Sequence, residues 1–243
     1  MQLELSNISK QFGELRALHE VTLSVPEFQS LAIIGPSGGG KTTLLRIISG
    51  LEIPDTGSLR IDDREIGFSE DALLSHRRSI GTVFQAYNLF PHLTALENVV
   101  LPLVKVHGLS ATAARDTAVE LFERFQLLNH AGRRPAELSG GQQQRVAIVR
   151  AIAIKPRFFI FDEPTSALDP EMTSEVLDFI AELRKEGRNL IIVTHNMGFA
   201  RHVSDHCLFI AEGRVLENER STELFSAPQN PLLVNFLAKV LRY

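Results

Sequence analysis

The segment from Gly35 to Thr42 has the residue types and the spacing of a loop that binds phosphate. Its first and last glycines, Gly35 and Gly40, are separated by four residues, and a lysine and a hydroxyl residue follow Gly40. Glycines allow a backbone curl in which successive N–H groups face phosphate oxygens, and a following helix adds its positive end. Lys41 would place a charge between the β- and γ-phosphates, and Thr42 would offer a hydroxyl to Mg²⁺. The alternative is a glycine-rich turn that binds nothing. The predicted nucleotide contacts in this loop are Gly35, Pro36, Ser37, Gly38, Gly39, Gly40, Lys41, Thr42 and Thr43.

Two adjacent carboxylates follow the apolar run 158–161. Asp162 stands where a short buried strand should end, which is the position of a carboxylate that orients Mg²⁺. Glu163 is one residue further on, and we expect it to polarise the attacking water. The alternative is a pair of surface acids after a strand.

A second candidate anion site begins with Leu138-Ser139-Gly140-Gly141-Gln142, which precedes a predicted helix. Ser139 suits the N-cap position, and the two glycines would leave backbone N–H groups accessible at the positive helix end. The alternative is ordinary helix capping without a ligand.

These motifs, in this order, resemble the ABC ATPase family, whose signature sequence is this Leu-Ser-Gly-Gly-Gln. The resemblance covers essentially the whole chain, and it implies that Ser139, Gly140, Gly141 and Gln142 bind ATP. It also implies that Gln85 contacts Mg²⁺, that His195 senses the γ-phosphate, that Asp169 in the segment 166–169 contacts nucleotide, and that Phe12 stacks on adenine. Taken singly, each has an ordinary alternative: His195 as a capping residue, Phe12 as a core residue and Gln85 as a loop glutamine.

Hydrophobic periodicity predicts the elements that would position these residues. The predicted strands lie at 21–25, 31–34, 80–84, 158–161 and 190–193. The segment 53–63 is predicted as a turn followed by a strand, and the strands 207–210 and 214–216 are predicted to form a hairpin around Gly213. The predicted helices lie at 42–49, 170–186 and 232–241. In the middle of the chain a helix is predicted to begin at Thr94, and helical spacing recurs at 118–125 and at 146–153. Strands that alternate with helices favour a parallel α/β sheet.

The resemblance implies the fold class in more detail. We expect a P-loop NTPase (RecA-like) parallel-sheet core with an N-terminal antiparallel β subdomain and an inserted α-helical subdomain. The single ABC ATPase domain would span 1–243. Its α/β core would comprise 1–87 and 154–223, the helical subdomain with the signature 88–153, and the C-terminal helical tail 224–243.

Composition narrows the class of protein. The chain of 243 residues has 25 basic and 29 acidic residues, a net charge of −4, and no basic block, so we expect no nucleic-acid partner. Its one cysteine, Cys207, excludes an internal disulfide and fits a reducing compartment. We find no signal-peptide pattern and no apolar run near the roughly 20 residues that span a bilayer. If the protein serves a membrane, another chain must therefore supply the pore. The resemblance to ABC ATPases implies a location at the cytoplasmic face of the inner membrane, held there by permease subunits.

The resemblance implies a mechanism and partners. ATP would lie in a head-to-tail homodimer, between the phosphate loop of one subunit and the signature of the other. Permease subunits would dock near residues 85–106, and an extracytoplasmic solute-binding protein would complete the importer. The stretches 84–94, 194–201 and 225–229 are similar to the polar amino acid uptake branch.

Other classes remain as alternatives. They are an ATPase of an exporter, a lipoprotein-release or a cell-division complex, a soluble ABC protein acting on ribosomes or DNA, and a P-loop kinase or GTPase. The signature Leu138–Gln142 disfavours the last class, and the lack of a second cassette or basic surface disfavours the soluble one.

Overall fold

The computed structural model describes residues 1–166 and 168–240, and these form two compact units. The first unit comprises Met1–Arg77 and Leu183–Tyr243, and the second comprises Arg78–Glu182. The strands are β1 (Leu3–Phe12), β2 (Leu15–Val25), β3 (Ser30–Ile34), β4 (Thr56–Ile61), β5 (Arg64–Glu65), β6 (Ile80–Val83), β7 (Phe158–Asp162), β8 (Leu190–Val193), β9 (His206–Ala211) and β10 (Arg214–Arg220). The helices are α1 (Lys41–Ile48), α2 (Glu70–Arg78), α3 (Ala95–Lys105), α4 (Ala111–Arg124), α5 (Gly140–Ala153), α6 (Pro170–Lys185), α7 (Met197–Val203), α8 (Ser221–Ser226) and α9 (Pro231–Val240), with short 3-10 turns at Leu128–His130 and Pro135–Glu137.

The first unit contains an antiparallel sheet of order β2-β1-β4-β5. The alternation in β2 predicts a half-buried strand, and the structure confirms it, because Val21 and Val25 are buried while Thr22 and Ser24 on the other face are exposed. Leu3 of β1 pairs with Val25, so apolar residues of neighbouring strands lie on the same face.

The first unit also contains strands in the order β10-β9-β3-β8. β3 is parallel to both β8 and β9, and every residue of β3 is buried. A strand buried on both faces requires the continuous apolar run that the sequence shows here. β9 and β10 form the predicted hairpin, and Gly213 at its turn has φ +71°.

Helices of the first unit end where the sequence predicts. α1 stops before Gly50, which has φ +70°, a conformation that glycine adopts without strain. α9 packs Leu233 and Leu237 into a cluster with Phe209. Leu241, the last residue of the predicted tail helix, lies outside the described residues.

The second unit combines the parallel pair β6 and β7 with a helical bundle. Helices α3, α4 and α5 share a core that includes Val99, Phe122 and Val146, which are fully buried. Thr94 caps α3 through reciprocal hydrogen bonds with Glu97: its hydroxyl accepts from the Glu97 N–H, and the Glu97 carboxylate accepts from the Thr94 N–H. A helix-rich middle segment is therefore confirmed, while the subdomain boundaries 88–153 stay a prediction. In the part of the chain that the structure describes, no helix has the length and apolar character needed to cross a membrane.

Candidate functional site

The phosphate loop follows the carboxyl end of β3. Gly38 and Gly40 have φ +75° and +103°, and the N–H of Gly39 donates to the carbonyl of Pro36 at 3.2 Å. Gly40 occupies the N-cap position of α1 without a side-chain cap. The N-cap of α1 therefore contributes no side-chain hydrogen bond of its own, and glycine at this position lets a ligand approach the positive end of the helix.

Lys41 lies within this loop. Its side chain is almost entirely buried, and Nζ donates to the carbonyls of Gly35 at 3.0 Å and Pro36 at 2.9 Å. The ammonium group is thus placed where the loop backbone curls, so it can neutralise a bound anion without a large movement. Thr42 and Thr43 follow in the first turn of α1 and are half-buried.

His195 lies in the same unit as the phosphate loop and at the same edge of the sheet. Ile33 of β3 pairs with Val193 of the parallel strand β8, so Gly35 and His195 both lie two residues beyond a paired position. The carboxyl ends of parallel strands meet at one edge of a sheet, where ligands bind in α/β proteins. His195 is exposed, and the next residue, Asn196, caps α7 through the N–H of Phe199 at 2.9 Å.

Gln85, Asp162 and Glu163 share an edge of the pair β6–β7 in the second unit. Val83 pairs with Phe161, so Gln85 and Glu163 each follow a paired position by two residues. Asp162 ends β7 and is buried, with 8% of its surface exposed, while Gln85 is exposed. A buried carboxylate at a strand end fits a cation-binding role.

Glu163 has a left-handed backbone, with φ +47°, which the sequence gives no means to predict. Such a conformation is uncommon for a residue with a side chain and is enriched at functional sites. The hydroxyl of Ser166 donates to the Glu163 carbonyl at 3.1 Å and helps to hold this turn.

Ser139 is the N-cap of α5, as predicted. Its hydroxyl accepts from the Gln142 N–H at 3.3 Å, and the Gln142 side chain accepts from the Ser139 N–H at 3.0 Å. The Gln142 amide also lies 3.3 Å from Nε2 of His130. Burial lowers the pKa of His130, and the neighbouring cations Arg133 and Arg145 lower it further.

The N–H of Gly141 donates to the thioether sulfur of Met172 at 3.2 Å. Sulfur is a weak acceptor, so this amide is covered but not strongly bonded. Met172 is in the first turn of α6, where its own N–H donates to the Asp169 side chain at 2.9 Å. Met172 thus connects the signature to Asp169, two sites that the sequence alone gives no reason to connect. Ala167, in the segment 166–169, lies outside the described residues.

Phe12 ends β1, and 45% of its surface is exposed, so it is not a core residue. Nζ of Lys10 lies 5.2 Å from the ring centroid of Phe12. Lys10 also pairs with Glu52 at 2.7 Å, and its hydrogen bond with that carboxylate raises the pKa of Lys10. Lys10 and Met172 could not be predicted from the sequence, because the contacts of Lys10 with Glu52 and of Met172 with Gly141 join residues far apart in the chain.

A family model described as ABC transporter matches residues 18–166, a span that includes the phosphate loop, the signature and the two carboxylates. The chain belongs to the ABC transporter family. ATP hydrolysis is the activity of this family's ATPase subunits.

Similar ABC proteins match over nearly their whole length. The chain is 44% identical to the glutamate transport ATP-binding protein GluA of Corynebacterium glutamicum, with 99% of this chain and 100% of the relative covered. It is also 44% identical to the L-cystine import ATP-binding protein TcyC of Bacillus subtilis, with 98% of each chain covered. A solved dimeric ATP-binding cassette, bound to ADP and Pi in a post-hydrolysis state, is 38% identical with a TM-score of 0.81, covering 90% of this chain and 98% of the other. These similarities confirm the predicted fold class.

Proposed function

We propose that this ABC protein binds ATP with Mg²⁺, hydrolyses it, and powers an importer of polar amino acids. The observation that carries the proposal is the loop after β3, where left-handed glycines, the buried Lys41 ammonium and the glycine N-cap of α1 coincide. This combination favours the phosphate groups of a nucleotide over a neutral ligand.

The proposed metal ligands fit Mg²⁺ by their chemistry. Thr42 offers a hydroxyl, Gln85 an amide oxygen and Asp162 a carboxylate, and Mg²⁺ prefers oxygen donors. When bound, Mg²⁺ would neutralise charge on the phosphate oxygens. Glu163 would align and polarise the attacking water, and His195 would donate to the γ-phosphate.

We propose that catalysis requires two subunits arranged head to tail. Ser139, Gly140, Gly141 and Gln142 of one subunit would then bind the γ-phosphate held by the phosphate loop of the other. The weak bond from Gly141 to a thioether supports this role, because a phosphate oxygen is a far stronger acceptor for that amide. Phe12 would stack on adenine and Asp169 would lie near the nucleotide.

Residues 85–106 are proposed as the docking region for permease subunits. Phe90 and Val106 are large apolar residues with 44% and 43% of their surface exposed. The protein would sit at the cytoplasmic face of the inner membrane through these subunits, and a solute-binding protein would deliver the solute on the other side. The names of the relatives favour glutamate or cystine as solutes. An ATPase of an exporter, lipoprotein-release or cell-division complex is the alternative.

Nucleotide binding is tested with Lys41→Met against Lys185→Met, an exposed lysine on α6. We expect Lys41→Met to weaken binding of a fluorescent ATP analogue by about 10-fold or more, the loss of one charge-assisted contact, while the control matches wild type. Equal affinity in all three proteins would contradict the proposed site.

The transport role is tested by reconstitution with a candidate permease and binding protein. Stimulation of ATP hydrolysis by external glutamate or cystine supports import. Stimulation of ATP hydrolysis only by a solute on the same side of the membrane as the ATPase would favour the exporter alternative.

A further inference from the structure

The segment between β6 and α3 contains a strained pair of residues directly after Gln85. Tyr87 and Asn88 have φ +59° and +49°, and among the described residues they are the only two neighbours, other than glycine, that are both left-handed. One such residue is uncommon, and two in succession persist only where the surroundings hold them.

Arg150 holds this pair from α5. Its Nη1 donates to the carbonyl of Asn88 at 2.7 Å, and its Nη2 donates to the carbonyl of Tyr87 at 2.9 Å. Burial lowers the pKa of this guanidinium, and among the described residues no carboxylate forms an ion pair with it. This half-buried cation is held by the two carbonyls, and the fixed fork of arginine matches their spacing.

A second side chain fixes the other end of the segment from a different helix. Asn98 of α3 is fully buried, and its side chain accepts from the Phe90 N–H at 2.7 Å. Its amide also donates to the carbonyls of Phe90 at 3.2 Å and Thr94 at 3.0 Å. The stretch 87–94 is therefore anchored to α5 at one end and to α3 at the other, while Gln85 just before it is exposed.

We propose that Arg150 is a positioning residue that sets the backbone of the loop carrying Gln85, and so places Gln85 for the Mg²⁺-dependent reaction. This inference rests on the proposed function. The Arg150 side chain also connects that loop to α5, the helix whose N-terminus Ser139 caps.

The test uses the full chain with Arg150→Gln, which removes the fork, and Arg150→Lys, which keeps the charge and part of the donor set. Arg115→Gln is the matched control, because Arg115 is exposed on α4 of the same unit. Asn88→Gly is added to Arg150→Gln as a suppressor, since glycine adopts the left-handed conformation without a guanidinium to hold it.

The first readout does not depend on activity. The chain has two tyrosines and no tryptophan, so in a Tyr243→Phe background Tyr87 is the only tyrosine. We expect Arg150→Gln to raise acrylamide quenching of its fluorescence by about two-fold, because the half-buried ring loses its fixed backbone. Arg150→Lys should fall between this variant and wild type, Arg115→Gln should match wild type, and the suppressor should reverse at least half of the change.

The second readout is ATP hydrolysis against Mg²⁺ concentration. We expect Arg150→Gln to lower kcat, or to raise the half-saturating Mg²⁺ concentration, by about 10-fold, and Asn88→Gly to recover most of the loss. A purely structural role would lower thermal stability without this recovery of activity.

The outcomes separate the inference from the proposed function. If Arg150→Gln is quenched to the same extent as Arg115→Gln, the inference is overturned. It is also overturned if Arg150→Gln shows altered quenching but hydrolyses ATP at the wild-type rate. If wild type itself hydrolyses no ATP, the proposed function fails, while the quenching result still shows whether Arg150 sets this loop.

Discussion

Replacement of Gly35 by alanine tests whether the phosphate loop has the tight geometry that the structure shows. Gly35 has φ +149°, and a Cβ built on it would lie 2.0 Å from the carbonyl oxygen of Ile210. Real Cβ contacts are essentially never shorter than 3.0 Å. Ile210 belongs to β9, which pairs directly with β3, so neither backbone can yield without disturbing the sheet.

The expected cost follows from two terms. The left-handed backbone costs an alanine about 1–3 kcal/mol, and overpacking against a fixed backbone adds about 1–3 kcal/mol. A total of about 4 kcal/mol corresponds to a fall in Tm of about 8–16 °C for a chain of this size. Gly132→Ala is the control, because Gly132 has no positive φ and a Cβ there would meet no atom within 4 Å. We expect the control to change stability by no more than about 0.5 kcal/mol.

The assay is thermal unfolding of wild type and both variants by circular dichroism, followed by nucleotide titration at a temperature where all three are folded. Gly35→Ala should unfold far earlier and bind ATP more weakly, and Gly132→Ala should do neither. Equal Tm values for the two variants would refute the argument that the loop is packed against β9.

Three further predictions concern capping, a buried amide and pH. Ser139→Ala and Thr94→Ala each remove one capping box, so each should cost about 1 kcal/mol of stability, but only Ser139→Ala should also lower ATP hydrolysis; equal activities would contradict the signature role. Asn98→Ala should lower Tm by about 6–12 °C, from about 3 kcal/mol of lost buried hydrogen bonds, and an unchanged Tm would contradict its anchoring role. Burial works to raise the pKa of Asp205, but hydrogen bonds from the Ser30 amide, the Arg184 guanidinium and another amide outweigh it and lower the pKa. Stability from Asp205 is therefore present above its unfolded pKa of about 3.9 and is lost as pH falls through the lower folded pKa. In Asp205→Asn the part of the unfolding free energy that wild type loses at acid pH should be absent. If urea unfolding gives the variant and wild type the same dependence of stability on acid pH, this prediction is contradicted.

Several elements could be predicted because their signals are local. The run 31–34, the glycines of the loop and the following helix are contiguous, so strand, turn and α1 follow from order alone. Ser139 and Gln142 stand at the spacing of a capping box, and the structure forms it. Gly50 and Gly187 stop helices with φ +70° and +81°, as glycine after an apolar-periodic stretch predicts.

The rest could not be predicted because long-range contacts decide it. α2 is largely polar and buries only Leu73 and His76, so periodicity gives no clear signal for it. The left-handed backbone of Glu163 depends on the turn after β7. The contacts of Arg150 with residues 87 and 88 span more than 60 positions in sequence, and no spacing rule reaches that far.

The central claim, that the chain is an ATPase with Glu163 as the residue that polarises water, is tested by the rate of ATP hydrolysis with Mg²⁺. Glu163→Gln is compared with wild type and with Glu120→Gln, an exposed glutamate on α4. The account predicts that Glu163→Gln loses about 100-fold or more in kcat while it still binds ATP and forms a dimer in size-exclusion chromatography, and that Glu120→Gln keeps the wild-type rate. Hydrolysis by Glu163→Gln at the wild-type rate would contradict the account.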